Sequence, residues 1–453
     1  MPRIAATLNN VLKSDSPAAL LVRALAFQKG IAFPRPPTEG GRFVSGVTMP
    51  IVAASRVLAL SGEGAFEVLV AARRLEAAGR HVIHLQIGEP DGATPPHVVE
   101  AAVRALHDGQ TKYVNPAGLH SLRDAIAASL AWRGVRGPGA ENIVVVPGAK
   151  PMVFYALLAV LEAGDEVLVP DPGFPIYPSV VRFAGAVPVR YPLDAVGGVN
   201  AELLAPLIGP RTRALVVNLP GNPTGGIATT DALHAIAELA LRHDLVVISD
   251  EVYGRIRYDG PADSIAAVPG MLERTVIVDS FSKAYAMTGW RLGFGVLPAA
   301  LVERVTTLVV NGTSCTPPFV QLAGLAALTG PQDAVTAAVA RLERRRDWLV
   351  DGLNGLPGIR CPRPVGALYA YPDVRQVEER AGLSTRQLAA RLLEEYGVAV
   401  LPGTDFGPGG AGHLRLSFAV PPADLDLALE RIRECVSDLA VASLTDGGIH
   451  VGS

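Results

Sequence analysis

Residues 276–293 read VIVDSFSKAYAMTGWRLG, in which a short apolar run leads directly to a lysine. The β-branched start predicts a buried strand, and Lys283 follows just after its end. Because strand ends of a parallel sheet open onto the ligand crevice, a lysine there is partly desolvated, has a lowered pKa and can attack an aldehyde. Ser280, Ser282 and Arg291 are placed to bind an anion nearby, since arginine offers a planar fork to phosphate oxygens. The stretch therefore predicts a nucleophilic lysine beside an anion site.

Short β-branched runs alternate with helical stretches on both sides of this segment. The runs are 82–85, 143–146, 166–169, 214–217, 246–248 and 276–278. Such alternation is typical of a mainly parallel sheet with helices on both faces. Beyond Pro317 long amphipathic helices continue to about Gly355, followed by strands near 367–371 and 414–418 and a helix from Pro421. We predict an α/β fold with a second, smaller α+β lobe and a ligand cleft between the two.

Composition narrows the range of partners. Of the 453 residues, 40 are basic and 43 acidic, so the charge pattern shows no footprint for nucleic acid. No apolar run reaches the roughly 18 residues that a membrane span needs. Cys315, Cys361 and Cys435 lie far apart without zinc-binding spacing, which favours reduced thiols. We therefore expect a cytoplasmic protein with small-molecule partners, no metal, and neither nucleic acid nor membrane as a partner.

Three other segments place polar groups where strands end. The strand at 246–249 ends in Asp250, which puts a carboxylate at the mouth of the sheet. Residues 143–150, IVVVPGAK, lead into a helix whose first N–H groups form an anion site. In residues 412–419, GHLRLSFA, Arg415 stands alone in an apolar strand, which is costly unless it meets an anion. Taken singly, the first two have ordinary alternatives: a capping or solvated loop acid for Asp250 and a plain strand-to-helix turn for residues 147–150.

Together these motifs resemble class I and II aminotransferases of fold type I, over about residues 52–440. The matching pieces are SFSK with GWRLG after it, DEVY at 250–253, NPTG at 222–225, PGAK at 147–150 and KYVNPAGLHSLR at 112–123. The resemblance implies pyridoxal 5′-phosphate as the cofactor, held through its aldehyde by Lys283 as a Schiff base. It also implies that Asp250 keeps the pyridine nitrogen protonated, so that the ring can absorb the electrons of a Cα carbanion.

The resemblance assigns further cofactor contacts by position. Tyr253 and Asn222 match the two donors to the 3′ oxygen, and Phe174 matches the aromatic residue that lies flat on the ring. The residues expected around the phosphate are Gly148, Ala149, Lys150, Ser280, Ser282 and Arg291, with Lys150 contributing mainly its amide. The residues expected to be catalytic are Lys283, Asp250 and Tyr253.

The substrate and the second subunit are expected at the same site. Arg415 matches the arginine that clamps the substrate α-carboxylate, and Gly88 and Asn222 belong to the same substrate site. Tyr113 matches a tyrosine that, in relatives, reaches the phosphate of the neighbouring subunit. The resemblance therefore implies a homodimer with shared active sites.

For the fold, the resemblance implies a mainly parallel, seven-stranded type of sheet in a large cofactor-binding domain. A smaller α+β domain is expected from the N-terminal segment and the C-terminal part. The expected segments are a poorly ordered extension at 1–48, an arm and part of the small domain at 49–90, the large domain at 91–320, the small domain at 321–445 and a tail at 446–453. Met49 is an alternative start of the chain.

The implied reaction moves an amino group from an L-amino acid to a 2-oxo acid. Aspartate with 2-oxoglutarate is the first expectation, ahead of alanine, aromatic or branched-chain amino acids. Leu158 weakens it, because several relatives that use aspartate carry a cation at that position. A β-eliminating lyase on the same fold is the alternative enzyme. A transcription regulator carrying this fold is disfavoured, since residues 1–48 are too few for a DNA-binding domain.

Overall fold

The computed structural model describes residues 53–260 and 263–446. The predicted extension at 1–48, and the predicted tail beyond residue 446, lie outside the described residues. The α-helices are α1 Ser55–Leu58, α2 Gly64–Ala77, α3 Pro96–His107, α4 His120–Ser129, α5 Ala149–Val160, α6 Ile176–Phe183, α7 Ala201–Leu204, α8 Thr230–Arg242, α9 Ala299–Thr313, α10 Pro318–Thr329, α11 Asp333–Asn354, α12 Arg375–Ala381, α13 Thr385–Glu394 and α14 Pro422–Asp446. The strands are β1 Ile83–His84, β2 Ile143–Val146, β3 Glu166–Asp171, β4 Val187–Pro192, β5 Thr212–Asn218, β6 Val246–Asp250, β7 Thr275–Ser280, β8 Gly293–Val296, β9 Tyr369–Ala370, β10 Val398–Ala399, β11 Leu401–Pro402 and β12 Leu414–Ser417.

The central sheet has seven strands in the order β2-β8-β7-β6-β5-β3-β4. Strand β8 runs antiparallel to both of its neighbours, and the other pairs are parallel. Successive residues of β7 face opposite sides: Val276 and Val278 pack with α5 and α9, and Ile277 packs with α4 and α10. Both faces are therefore covered by helices, which is why the strands are runs of β-branched residues rather than alternating ones. This confirms the predicted α/β class and the mainly parallel sheet.

Two strands of the central sheet, β4 and β8, were not predicted from the sequence. Strand β4 lies at the sheet edge, and its exposed or half-buried residues include two prolines. Strand β8 contains two glycines among its four residues, which lowers its strand propensity although all four are buried.

The smaller sheets join the N-terminal segment to the C-terminal part. Strand β1 pairs in parallel with β10, so that Ile83 lies opposite Val398, and β9, β12 and β11 form an antiparallel sheet. Their side chains share one core with α11 and α14. The α+β portion is thus present, and the exact domain boundaries stay a prediction.

The carboxyl ends of the central strands bring polar residues to one edge. Asn218 at the end of β5 pairs in register with Asp250 at the end of β6, and Asp250 lies opposite Val278 in β7. Lys283 follows β7 by three positions. The topology therefore places these groups beside one another. No helix in the described part of the chain is long and apolar enough to cross a membrane.

Candidate active site

A cavity of about 450 Å³ lies at this edge of the central sheet. Its walls are formed by Glu63, Ala65, Phe66, Ile87, Gly88, Ala149, Lys150, Val153, Phe174, Tyr177, Asn218, Asn222, Asp250, Val252, Tyr253, Ser280, Ser282, Lys283, Thr288, Arg291, Tyr369 and Arg415. Every residue predicted for the site lines this cavity except Gly148 and Tyr113. Gly148 lies directly behind the wall, and Tyr113 is 87% exposed on the surface. Segments far apart in sequence thus converge on one concave site.

Lys283 presents its amine to the cavity. Its Nζ donates a hydrogen bond to the carbonyl oxygen of Gly88 at 2.6 Å. Burial lowers the pKa of the Lys283 amine, and the positive charges of Arg415 and Lys150 lower it further. Lowering the pKa increases the neutral fraction of the amine, which is the form that attacks a carbonyl and accepts a proton.

Asp250 is the buried carboxylate of the site. It is 4% exposed, and its Oδ2 accepts a hydrogen bond from the hydroxyl of Tyr177 at 2.7 Å. Burial raises the pKa of Asp250 to about 6, against the opposing effect of the Tyr177 hydrogen bond. Burial and the adjacent Asp250 also hold the pKa of the Tyr177 hydroxyl well above its ordinary value, so that the phenol stays a donor. Tyr177 was not predicted as a site residue, although its place three residues after Phe174, in the same motif, was an available signal.

Two tyrosines of the cavity wall contact each other. The hydroxyls of Tyr253 and Tyr369 are 2.7 Å apart, and the two rings pack edge to face with centroids 5.7 Å apart. Burial and the proximity of Tyr369 hold the pKa of Tyr253 well above its ordinary value. Tyr369 was not singled out in the sequence, although its ring also supports an arginine of the site.

Arg415, in β12, is that arginine. Its guanidinium carbon lies 4.3 Å from the Tyr369 ring centroid and 5.0 Å from that of Phe406. Nη1 donates to Oδ1 of Asn222 at 3.1 Å and Nη2 donates to the carbonyl of Gln86, while the buried Nε has no partner. Within the described residues no carboxylate pairs with it. The side chain is 4% exposed, so a desolvated cation with only neutral acceptors faces the cavity.

An anion cradle forms where α5 begins. Gly148 is the N-cap with a positive φ of 90°, so the N–H groups of the first turn, at Ala149 and Lys150, lie at the cavity. The guanidinium of Arg291 lies against Gly148, where a Cβ would overlap it. This close approach explains why the N-cap is glycine. The buried hydroxyl residues Ser280 and Ser282 line the same region, so the donor set matches a phosphate group.

The rim of the cavity carries an ion pair that the sequence did not reveal. The ammonium of Lys150 pairs with the carboxylate of Glu63, which precedes α2 by one residue. The same ammonium lies 5.9 Å from the ring centroid of Phe66 and 5.4 Å from that of Phe174. Because the partners are 87 positions apart, no local pattern predicts the pairing.

The fold and this site define an α/β protein whose cavity combines a lysine amine, a buried acid and two groups of anion-binding donors. The family model "Aminotransferase class I and II" matches residues 80–432. The aspartate aminotransferase of Geobacillus stearothermophilus is 38% identical, covering 84% of this chain and 97% of the relative. The arginine–pyruvate transaminase of Pseudomonas aeruginosa is likewise 38% identical, with the same coverage.

Solved structures agree with this assignment. An aspartate aminotransferase from Thermus thermophilus with maleate has a TM-score of 0.80 at 38% identity and covers 85% of this chain and 100% of its own. An alanine aminotransferase from Pyrococcus furiosus has a TM-score of 0.79 at 31% identity, with the same coverage. This chain belongs to the class I and II aminotransferases, as the sequence motifs indicated. It is therefore an enzyme that transfers amino groups between small amino acids and oxo acids.

Proposed function

We propose that this aminotransferase uses pyridoxal 5′-phosphate and exchanges the amino group of aspartate with 2-oxoglutarate. The observation that carries the cofactor proposal is that the Lys283 amine and the Asp250 carboxylate share one cavity with an anion cradle. Pyridoxal phosphate, when bound, supplies an electron sink for the bonds at the substrate Cα.

The residues present fit that cofactor. The carboxylate of Asp250 is buried and, within the described residues, accepts only from neutral donors; burial raises its pKa, so a cationic partner beside it would be favourable. A protonated ring nitrogen would provide that partner. The amides of Ala149 and Lys150 and the guanidinium of Arg291 would hold the phosphate.

Other cavity residues would hold the ring itself. Phe174 would pack on its face, worth about 0.5–1.5 kcal/mol beyond its burial. Tyr253 and Asn222 would donate to the ring oxygen from the cavity wall. Both residues are buried at that wall, which limits their freedom before anything binds.

The chain's own groups then divide the work on the substrate. Arg415 would hold the α-carboxylate in a bidentate contact, with the guanidinium already positioned by Asn222 and the Gln86 carbonyl. The amine of Lys283, when free, would remove the proton from the substrate Cα and return it later, because its lowered pKa makes it an effective base. Gly88 would allow the backbone to approach the carboxylate, since a Cβ there would overlap the Tyr369 hydroxyl.

The choice of aspartate and 2-oxoglutarate rests on similarity to relatives that are named aspartate aminotransferases. Leu158 remains an argument against it, because this α5 residue does not line the cavity and brings no cation there.

We also propose a cytoplasmic homodimer. Tyr113 supports the dimer, since it is 87% exposed although its motif matches a residue that reaches a neighbouring site.

A panel of amino donors against several oxo acids tests the substrates. We expect oxo-acid product in equal amount to the amino acid formed from the acceptor. Release of ammonia and pyruvate from the donor would contradict transfer.

Borohydride reduction of the holoenzyme tests the cofactor assignment and should label the peptide that contains Lys283. Labelling elsewhere, or at that peptide in Lys283→Ala, would refute the cofactor assignment.

Tyr113→Phe tests the shared site. Mixing this variant with a Lys283→Ala variant under subunit exchange should give hybrid dimers with one native site. Activity of the mixture above the summed activities of the two separate homodimers would support the shared site. Activity equal to that sum would contradict it.

A further inference from the structure

A second cavity, of about 400 Å³, lies outside the active site. Its walls come from Trp132, from the loop at 254–260 after β6, and from residues 332–343 at the beginning of α11. Among the described residues, it has no lining residue in common with the cavity that contains Lys283. Its volume is that of a small-molecule site, and the proposed function leaves it without a ligand.

Arg255 is the cation of this cavity that lacks a counter-charge. Its half-buried side chain lies against two aromatic rings, with the guanidinium carbon 4.8 Å from the ring centroid of Trp132 and 5.7 Å from that of Tyr285. Within the described residues the guanidinium makes no hydrogen bond and no ion pair. Cation–π contacts hold a guanidinium through its faces, so the N–H groups at its edge remain available to an acceptor.

The other charged side chains of the cavity already have partners. Arg257 donates through Nε and Nη2 to Oδ1 of Asp259, at 3.1 and 2.7 Å. Glu343 accepts a hydrogen bond at its Oε1 from Nη2 of Arg346 at 3.4 Å. The uncompensated charge of this cavity is therefore positive and comes from Arg255.

The wall that α11 contributes is mostly apolar. Val335, Val339 and Ala340 line the cavity there. The polar side chains on this wall already have partners: the amide of Gln332 donates to two backbone carbonyls at 2.8 and 2.9 Å, and the hydroxyl of Thr336 donates to another at 3.3 Å. A ligand would therefore meet an apolar surface on the helix and an unpaired cation on the loop.

We propose that this cavity is a second ligand site, which binds a small carboxylate with an apolar body. The two carboxylate oxygens accept from the planar fork of Arg255, and the body of the ligand covers Val335 and Val339. The aromatic contacts position the guanidinium before the ligand arrives, which lowers the entropy cost of binding. This inference depends neither on the proposed cofactor nor on the proposed substrates.

Calorimetric titration with benzoate tests the site. The holoenzyme carrying Arg415→Met is used, because this substitution removes the arginine that is proposed to bind carboxylates in the active site. We expect one benzoate per chain, and at least tenfold weaker binding of benzamide, which has the same ring without the charge. Absence of saturable binding at about 10 mM benzoate, or equal binding of benzamide, would overturn the site.

Two variants in the same background separate Arg255 from general electrostatics. Arg255→Gln should weaken benzoate about tenfold or more, because the charge-assisted hydrogen bonds are lost. The matched control is Arg257→Gln, which removes the same charge from the same cavity. It should weaken benzoate less than about threefold, since that guanidinium already donates to Asp259. Equal losses in the two variants would show that only the overall charge matters, and would refute the site.

A crystal structure of the native holoenzyme with 4-bromobenzoate locates the ligand without any substitution. The anomalous signal of bromine should lie in the cavity beside Arg255, and it should be absent there in Arg255→Gln. Bromine only in the active site would overturn the proposal. Failure of amino transfer with every donor and acceptor would refute the proposed substrates and leave this result unchanged.

Discussion

Two arginines are buried to nearly the same degree, and their surroundings differ. Arg133 is 3% exposed, and its guanidinium donates to Glu251 and to Asp279, each at 2.6 Å. Arg415 is 4% exposed and, in the described part of the chain, donates only to neutral oxygens. A buried charge without a counter-charge is costly unless a ligand supplies one. The compensated arginine therefore serves the fold, and the uncompensated one is available to an anion.

Two consecutive acids repeat the contrast. Glu251 accepts from Arg133 and from the hydroxyls of Ser249 and Ser264 at 2.9 and 2.6 Å. Among the described residues, the carboxylate of Asp250, one residue earlier, accepts only from the Tyr177 hydroxyl and a backbone amide. Neighbouring residues at a strand end thus lie in different environments: Glu251 is paired with a cation and several donors, and Asp250 lines the cavity without a cation. A buried charged group that lacks a counter-charge in the fold, rather than burial alone, therefore indicates a functional residue.

The largest effect is expected from Lys283, the amine that we propose acts on the substrate Cα. Lys283→Ala should reduce turnover by about 10⁴-fold or more, because no other described amine reaches the same position. Single-turnover formation of oxo acid measures it, with circular dichroism as the check on folding. Residual turnover within tenfold of the native enzyme would show that Lys283 is not the base.

The second largest effect is expected from the charge-compensated network of Arg133, Glu251 and Asp279. Arg133→Met should lower the free energy of unfolding by about 3–5 kcal/mol, since Glu251 and Asp279 would remain buried without their cation. Urea denaturation of the cofactor-free protein gives the value. A loss below about 1 kcal/mol would mean that the network does not hold the fold.

Arg415→Met is the same substitution at the arginine that faces the cavity without a paired carboxylate. It should reduce kcat/KM for α-amino acids by about 10²- to 10³-fold, because the α-carboxylate loses its bidentate partner. The urea midpoint should change far less than in Arg133→Met. The reverse pattern, a large loss of stability with kcat/KM retained, would contradict the assignment of Arg415 to the substrate.

The smallest effect concerns pH. Because burial raises the pKa of Asp250 to about 6, its charged form destabilises the cofactor-free fold above that pH. The penalty is relieved as the pH falls from 6 toward the ordinary value near 4. Asp250→Asn should therefore be more stable than the native chain at pH 8, by about 2–3 kcal/mol, and lose that advantage near pH 4. A difference that does not vary with pH would place the buried charge elsewhere.

Much of the site could be predicted because its groups lie in short contiguous motifs at strand ends. Lys283 and Arg291 stand eight positions apart after one strand, and their neighbourhood follows from the direction of that strand. The sheet was predicted where both faces are buried and the residues are β-branched. Strands β4 and β8 were not predicted, because their prolines and glycines lower the strand propensity.

The groups that were missed depend on long-range packing. The hydroxyl contacts of Tyr177 with Asp250 and of Tyr253 with Tyr369 span 73 and 116 positions. The pair of Lys150 and Glu63 spans 87 positions. Such contacts depend on how separate elements pack together. The composition or periodicity of a short sequence segment cannot predict them.

The pairing of β1 with β10 has a consequence for synthesis of the protein. That pairing leads into Gln86 and Gly88, whose carbonyls accept from Arg415 and Lys283. A nascent chain that has emerged only as far as residue 300 already contains the reactive lysine, yet β1 has no partner and the guanidinium has not been translated. Lys283 therefore precedes the rest of the site during synthesis, because β10 and Arg415 follow it by more than one hundred positions along the chain.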